Sequence, residues 1–204
     1  GYTPAGWNML QHMMQNMAAP IAPEDWPIVT TYLTKAFPER PRPAAAQISG
    51  PVQATIKLWD VPTLGSRPHD PLATKDGAIW WTGQLSSKLG RLDPKTGMMR
   101  EYSLKTPHTG PHGLTEDQDG NIWMASYGNS RIQVFPNGDP LTTYPYYADG
   151  NSEPFHIMID DTKAAYVSYT GTSALSKFTL GAQSLQLVQS VHIGETPTAD
   201  ANPK

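Results

Sequence analysis

The sequence predicts a mainly β protein, a partial β-propeller of about three four-stranded blades preceded by a short α-helical segment. Three stretches align without a gap at a constant offset of 43 residues, starting at Pro68, Pro111 and Pro154. The first two repeat an Asp-Gly pair followed by an Ile-Trp pair, and the third keeps Tyr166 in the Trp position. A period near 43 residues with short strands and Asp-Gly turns is typical of propeller blades.

Each copy divides into four strands. In the first copy two inner strands flank Asp76-Gly77, because this pair accommodates the positive φ of a tight hairpin. A third strand at 88–93 leads through the turn sequence DPKTG into an outer strand at 99–104. The four strands fill the repeat and leave no room for a helix. The three copies therefore correspond to three blades, at 68–106, 111–149 and 154–192.

Partial copies flank the three blades. Residues 55–63 align with the outer strand of the first blade and predict a lone closing strand, and residues 197–204 begin a fourth inner strand. We therefore assign 52–204 to the partial propeller. Three blades cannot close a ring, so we expect the chain to be a piece of a longer protein whose remaining blades complete it. Two alternatives stay open, self-association into a complete ring and an open array of repeats.

The first part of the chain has a different composition and predicts two short helices and a linker. Thr3 and Pro4 suit the start of one helix, and apolar residues then recur at helical spacing. A second helix starts near Pro23 and stops at Pro38. The helical segment at 1–37 has too little core to fold alone, and the Pro- and Ala-rich linker at 38–51 should be stiff and extended.

Composition and charge restrict the classes of molecule that the protein could bind. A net charge of -3 gives no case for nucleic acid, and no apolar run reaches membrane-spanning length. The chain has no Cys, so it has neither a disulfide framework nor thiol chemistry. This composition agrees with a periplasmic or exported protein. We expect a small-molecule or peptide-like ligand in the propeller channel as the partner.

Polar side chains gather at the starts of the predicted inner strands, where propellers line the mouth of the central channel. His69 and His112 share one repeat position, which favours a shared ligand site. The alternative for each histidine alone is a structural role, in which the imidazole caps its turn or bonds to the backbone. The channel candidates are Arg67, His69, Asp70, His112, Glu153 and His156.

From Ser66 onward the chain resembles the virginiamycin B lyase (streptogramin lyase) family, through SRPHDPLATKDGAIWWTGQLSSKLGRLDPKTG and GPHGLTEDQDGNIWMA. The resemblance implies a seven-bladed ring. It also implies elimination at the ester of a cyclic depsipeptide antibiotic, with a His general base and a divalent ion, usually Mg²⁺. Related propellers without lyase activity share this motif, so the resemblance speaks more firmly to fold than to reaction.

The catalytic set that this resemblance implies is incomplete in the three blades. It requires His at one repeat position of two consecutive blades, a Glu two residues before the second His and another Glu fourteen residues after it. His69 and His112 meet the first requirement, but Gly110 and Ser126 occupy the two Glu positions. Shifting by one blade does not complete the set, because Phe155 replaces the second His. The family's set lies in later blades, so we expect this chain alone to bind no Mg²⁺ and to be inactive.

The first fifty residues resemble the part of a small c-type cytochrome domain that follows its CxxCH motif, through GYTPAGWNMLQHMMQNM and IAPEDWPIVTTYLTKAFPERPRP. In such domains a Met after CxxCH often ligates the haem iron. The resemblance marks Met13 and Met14 as axial-ligand candidates, with Met9 and Met17 behind them. The alternative is a Met cluster that fills the core. Without Cys, we expect the chain itself to attach no haem c.

Two classes of function stay open. One is a lyase-like propeller enzyme, a carbon-oxygen lyase that acts on a cyclic or ester-bearing substrate. The other is a periplasmic protein in which a cytochrome domain transfers electrons while the propeller binds a partner or senses a ligand. The blade motif favours the first class, and the helical segment favours the second.

Overall fold

The computed structural model describes residues 2–16, 19, 21–40, 50, 55–106, 108–150 and 152–192. The chain divides into two compact units, Gly1–Gly65 and Ser66–Lys204. Met17, most of the predicted linker at 38–51 and the predicted start of a fourth blade at 197–204 lie outside the described residues.

The unit Gly1–Gly65 is a helical pair with a small core. Its helical elements are α1 (Pro4–Asn16), a 3₁₀ turn (Pro23–Asp25) and α2 (Trp26–Ala36). The indole Nε1 of Trp7 donates a hydrogen bond to the carbonyl of Phe37 at 3.2 Å, which ties the end of α2 to α1. Among the described apolar side chains of this unit, Trp26 alone is fully buried. No helix in the described residues is long and apolar enough to cross a membrane.

The division between the two units falls between Gly65 and Ser66. The side-chain amide of Asn16 donates hydrogen bonds to the carbonyls of Leu64 and Gly65, at 3.3 and 3.1 Å, and so ties this stretch to α1. Residues 55–63 belong to none of the described sheets. Because a strand is defined by its bonds to a neighbour, the closing strand at 55–63 stays a prediction.

The unit Ser66–Lys204 contains three four-stranded antiparallel sheets, which confirms the predicted partial propeller. In each sheet the strands follow chain order, so each sheet is one blade. The strands are β1 (Pro68–Ala73), β2 (Ile79–Gly83), β3 (Lys88–Leu92) and β4 (Met99–Ser103); β5 (Pro111–Glu116), β6 (Ile122–Ser126), β7 (Arg131–Phe135) and β8 (Tyr144–Tyr147); and β9 (Pro154–Ile159), β10 (Ala165–Tyr169), β11 (Ala174–Leu180) and β12 (Leu185–His192). Helical structure among the described residues of this unit is limited to two 3₁₀ turns, Tyr127–Asn129 and Pro136–Gly138.

Two apolar cores lie between neighbouring blades. One packs side chains of the first blade, among them Trp80, against the second blade, and the other packs side chains of the second blade, among them Trp123, against the third. These two Trp residues occupy one repeat position and are 4% and 1% exposed, so the Ile-Trp motif is a packing motif between blades. Burial of such large rings is a main source of stability in a repeat fold.

Turn carboxylates bind aromatic side chains at one repeat position of the second and third blades. Asp117 accepts a hydrogen bond from the indole Nε1 of Trp123 at 2.9 Å, and Asp160 accepts one from the hydroxyl of Tyr166 at 3.1 Å. Both carboxylates also accept backbone N–H bonds within their own turns. These bonds make Asp117 and Asp160 turn residues rather than parts of a cation site.

Candidate functional site

The first strands of the three blades carry the candidate site. Strand β1 contacts β5, and β5 contacts β9, so these inner strands lie side by side. His69, His112 and Phe155 share one repeat position on them. Their rings form a column, with centroids 4.1 Å apart for His69 and His112 and 3.8 Å apart for His112 and Phe155. The rings of the two histidines are therefore in direct contact.

A β-bulge in β1 sets Asp70 beside His69. The pairing of β1 with β2 changes register between His69 and Leu72, and Asp70 adopts a φ of 39°, in the left-handed region. Successive residues of a regular strand face opposite sides of the sheet, and a bulge interrupts that alternation. The carboxylate of Asp70 therefore contacts the ring of its own neighbour.

Three imidazoles surround this carboxylate, and we call His69, Asp70, His112 and His156 the Asp70 cluster. The Nδ1 atom of His69 lies 2.9 Å from Oδ1 of Asp70, and Nδ1 of His112 lies 3.3 Å from Oδ2. The Nδ1 atom of His156 is 3.9 Å from the same Oδ2. The His112 side chain is 7% exposed and that of His156 is 58% exposed, so the cluster is closed at one end and open at the other.

Burial is the largest influence on the titration of His112. It lowers the pKa of this imidazole, and the neighbouring His69 and His156 lower the pKa further, whereas the Asp70 carboxylate and a backbone bond at Phe155 oppose the shift. The net change is downward from the ordinary value of 6.5. His112 is therefore neutral at neutral pH, with a free lone pair on one ring nitrogen.

Three polar atoms of the cluster are buried and unsatisfied. Nδ1 of His69, Oδ2 of Asp70 and Nδ1 of His112 have no hydrogen-bond partner among the described residues. The short nitrogen–oxygen distances show contact, but the directions that a hydrogen bond needs are not met. A buried polar atom left without a partner costs roughly 1–3 kcal/mol, and most such atoms in folded proteins are paired. The arrangement is that of a site that receives another atom.

Two residues that the sequence does not single out hold the strands around the cluster. The hydroxyl of Thr82 is fully buried and lies 3.1 Å from the carbonyl oxygens of both His69 and His112, so it bridges the first two blades. At Gly113 an added Cβ would stand 2.7 Å from the carbonyl oxygen of Phe155. Only glycine lets β9 approach this closely. The Pro-His-Gly motif is the signal for Gly113, whereas Thr82 has none.

Arg67 and Glu153 belong to the backbone around the site rather than to the cluster. With Gly110 they occupy one repeat position, and all three are left-handed, with φ of 51°, 53° and 51°. Arg67 is exposed, and the carboxylate of Glu153 accepts a hydrogen bond from the Thr170 hydroxyl at 2.9 Å. The structure therefore brings together four of the six channel candidates.

The haem-ligand candidates lie in the helical unit. Met13 and Met14 are on α1 and are half-buried, and Met9 is 42% exposed. None of these three side chains is fully buried. Half-burial is compatible with packing on the small core as well as with ligation of a haem, so both interpretations stay open.

The Asp70 cluster does not suit Mg²⁺. That ion demands octahedral oxygen coordination, whereas the cluster offers one carboxylate and three imidazoles. The two positions where the family set requires Glu hold Gly110 and the fully buried Ser126. The three described blades therefore supply no Mg²⁺ site of the kind that the resemblance implies.

Comparison with known proteins supports the propeller fold. Residues 43–178 match the virginiamycin B lyase family. A streptogramin B lyase structure is similar with a TM-score of 0.59 and 28% identity, over 65% of this chain and 44% of that one. An inactive variant of virginiamycin B lyase from Staphylococcus aureus with quinupristin gives 0.59 and 23%, over 67% of this chain and 46% of that one.

A more distant structure shares only the fold. Hydrazine synthase from Kuenenia stuttgartiensis gives a TM-score of 0.52 at 18% identity, over 72% of this chain and 40% of that one. No curated protein sequence matches the chain. The chain spans less than half the length of each of these three solved structures.

Proposed function

Because the chain belongs to the virginiamycin B lyase family, we propose that it is part of a longer propeller protein that binds a cyclic, peptide-like ester and acts on it as a carbon-oxygen lyase. The observation that carries this proposal is the column of rings at His69, His112 and Phe155, beside the Asp70 carboxylate. Two of the similar structures are streptogramin or virginiamycin B lyases, and one of them was determined with quinupristin.

The open end of the site suits a peptide-like ring. Phe155 is 38% exposed and the side chain of His156 is 58% exposed. An exposed aromatic face packs against amide groups and aromatic substituents, and a nearby imidazole offers both a donor and an acceptor. Such a mixture of apolar surface with a few polar groups is typical of small-molecule sites.

The lyase reaction needs a base and a stabilised leaving group. In an elimination, a base removes a proton from one carbon while the ester on the next carbon leaves as a carboxylate, so the C–O bond breaks without water. The described blades lack the carboxylates for Mg²⁺, so we assign ligand binding to them and the complete reaction to the longer protein.

The test compares the chain of 204 residues with the product of its complete reading frame. Each is incubated with quinupristin and Mg²⁺, binding is measured by calorimetry, and ring opening is followed by mass spectrometry. We expect the chain to bind without ring opening and the longer protein to open the ring. His112→Ala and Phe155→Ala should weaken binding, whereas His12→Ala, which removes an imidazole from α1, should not.

Two outcomes would contradict the proposal. Equal binding by the wild type and both site variants would show that the ring column is not part of the ligand site. A complete protein that leaves the quinupristin ring intact would show that it has no lyase activity on this substrate. Ring opening by the shorter chain, lost in His112→Ala, would overturn the assignment of the reaction to other blades.

A second candidate function rests on the helical unit. We propose as the alternative a periplasmic protein in which a c-type cytochrome domain transfers electrons and the propeller binds or senses a ligand. The supporting observation is that Met13 and Met14 lie on α1 and keep part of their surface exposed. The complete protein should then contain haem c, and Met13→Ala or Met14→Ala should alter its absorption spectrum and reduction potential. A complete protein without haem excludes this candidate.

A further inference from the structure

The Asp70 cluster has the composition of a transition-metal site. Two imidazoles and one carboxylate, from His69, His112 and Asp70, converge so that one ligand atom from each lies within 4.8 Å of the others. Imidazole is a common ligand of Zn²⁺, Cu²⁺, Ni²⁺ and Fe²⁺, and two imidazoles with one carboxylate are a recurring set for such ions. The same set excludes the hard ions that prefer oxygen.

The distances fit a single ion. Atoms that bind one ion at about 2.0–2.2 Å can lie no more than roughly 4.4 Å apart. The Nδ1 atom of His69 is 2.9 Å from the Asp70 carboxylate and that of His112 is 3.3 Å from it. The widest spacing between ligand atoms of the three residues is at most 4.8 Å, close to this limit.

The ligand atoms are free for an ion. Nδ1 of His69, Nδ1 of His112 and Oδ2 of Asp70 are all buried, and none has a hydrogen-bond partner among the residues that the structure describes. Nδ1 of His69 lies 2.9 Å from Oδ1 of Asp70 and Nδ1 of His112 lies 3.3 Å from Oδ2, in both cases without hydrogen-bond geometry. One bound cation would satisfy all three at once.

The backbone is shaped for this convergence. The bulge after His69 and the left-handed φ of 39° at Asp70 put a carboxylate where a regular strand would turn it to the other face. Residues with such a φ are uncommon outside glycine and cluster at functional sites. The hydroxyl of Thr82 then fixes the spacing of the two blades, through the carbonyls of His69 and His112.

We propose that His69, Asp70 and His112 bind a divalent transition-metal ion of the zinc class. His69 and His112 supply Nδ1, and Asp70 supplies a carboxylate oxygen. The remaining coordination positions are left for water or ligand, with the exposed imidazole of His156 nearby. Metal binding by these three residues does not depend on the lyase reaction.

The test measures metal binding without any antibiotic. The 204-residue chain is prepared without a polyhistidine tag, treated with chelator and titrated with Co²⁺ by visible absorption and with Zn²⁺ by calorimetry. We expect one ion per chain, displacement of Co²⁺ by Zn²⁺, and no displacement by Mg²⁺ at the same concentration. Asp70→Asn and His112→Ala should weaken binding at least about tenfold, and His12→Ala should bind as the wild type does.

Asp70→Asn is the decisive variant because it keeps the shape of the side chain. Circular dichroism compares its fold with that of the wild type. Binding of Co²⁺ or Zn²⁺ by Asp70→Asn with unchanged affinity would overturn the proposal, and so would a wild-type chain that takes up no ion. Since no substrate is present, failure here leaves the proposed lyase activity to its own test.

Discussion

Substitution of Gly90 tests how tightly the first blade is packed. Gly90 on β3 pairs directly with Trp81 on β2, and the indole of Trp81 lies over the position where a side chain would start. A Cβ added at Gly90 would stand 2.0, 2.2 and 2.6 Å from three ring carbons of Trp81. Trp81 is 6% exposed, so the ring has little room to move away. Overpacking of this kind costs about 1–3 kcal/mol, and sometimes more.

The other blades supply the compensating change. The residues paired at the equivalent position are Met124 with Gln133 in the second blade and Val167 with Ser176 in the third. A large ring opposite glycine has therefore become a smaller side chain opposite a larger one. Copying the third-blade pair gives the double variant with Trp81→Val and Gly90→Ser.

A double-mutant cycle measures the coupling by urea unfolding, followed by circular dichroism because Trp81 is itself a fluorophore. Gly90→Ser alone should lower the free energy of unfolding by about 1–3 kcal/mol. The double variant should be more stable than the sum of the single effects by a similar amount, within the 0.5–3 kcal/mol that is usual for residues in contact.

Gly150→Ser is the matched control, because an added Cβ there meets nothing within 4 Å. It should change stability by less than about 0.5 kcal/mol. Strict additivity in the cycle, or a Gly90→Ser variant as stable as the control, would refute this account of the packing.

Three further predictions concern the site and the blade cores. Thr82→Val removes the hydroxyl bridge between the first two blades, so it should lower the free energy of unfolding in urea by about 1–3 kcal/mol. It should also weaken Co²⁺ binding. An unchanged Co²⁺ affinity would mean that the bridge does not position the cluster. Asp117→Asn leaves the indole Nε1 of Trp123 with a weaker acceptor and should lower the unfolding midpoint, whereas Asp161→Asn should not. Burial raises the pKa of Tyr169 to about 12 from 10.0, so the folded state holds its proton longer than the unfolded state does. Stability should therefore fall between pH 10 and 12, by about 2–3 kcal/mol, and Tyr169→Phe should lose less stability over that range.

The sequence predicts the fold well because the repeat carries most of the structural information. The Asp-Gly turns and the Ile-Trp motif recur at one spacing, and each appears in the structure with the same role in successive blades. Even the backbone repeats, since Ser87, Ser130 and Ser173 share a left-handed φ of 53°, 51° and 50°. Because the side-chain pattern and the backbone conformation repeat together, few other folds fit the sequence.

The site is less predictable because the backbone conformation of one residue departs from the repeat. A register shift near the start of the first strand recurs in all three blades, but the left-handed φ of Asp70 does not recur, and nothing in the sequence announces it. In the sequence, Phe155 stands at the repeat position where the first two blades have a histidine. In the structure, its ring packs against His112 and completes the column.

One repeat position is buried in the first two blades and exposed in the third. Leu89 and Ile132 are both 0% exposed, because the following blade covers each of them, whereas Leu175 at the same position of the third blade is 40% exposed. All three residues are aliphatic, so the difference in exposure comes from the neighbouring blade rather than from the type of side chain. Burying Leu175 and the adjacent apolar surface would gain roughly 25 cal/mol per Å². The third blade thus presents the surface on which a further blade would pack, as we expect of a longer parent chain.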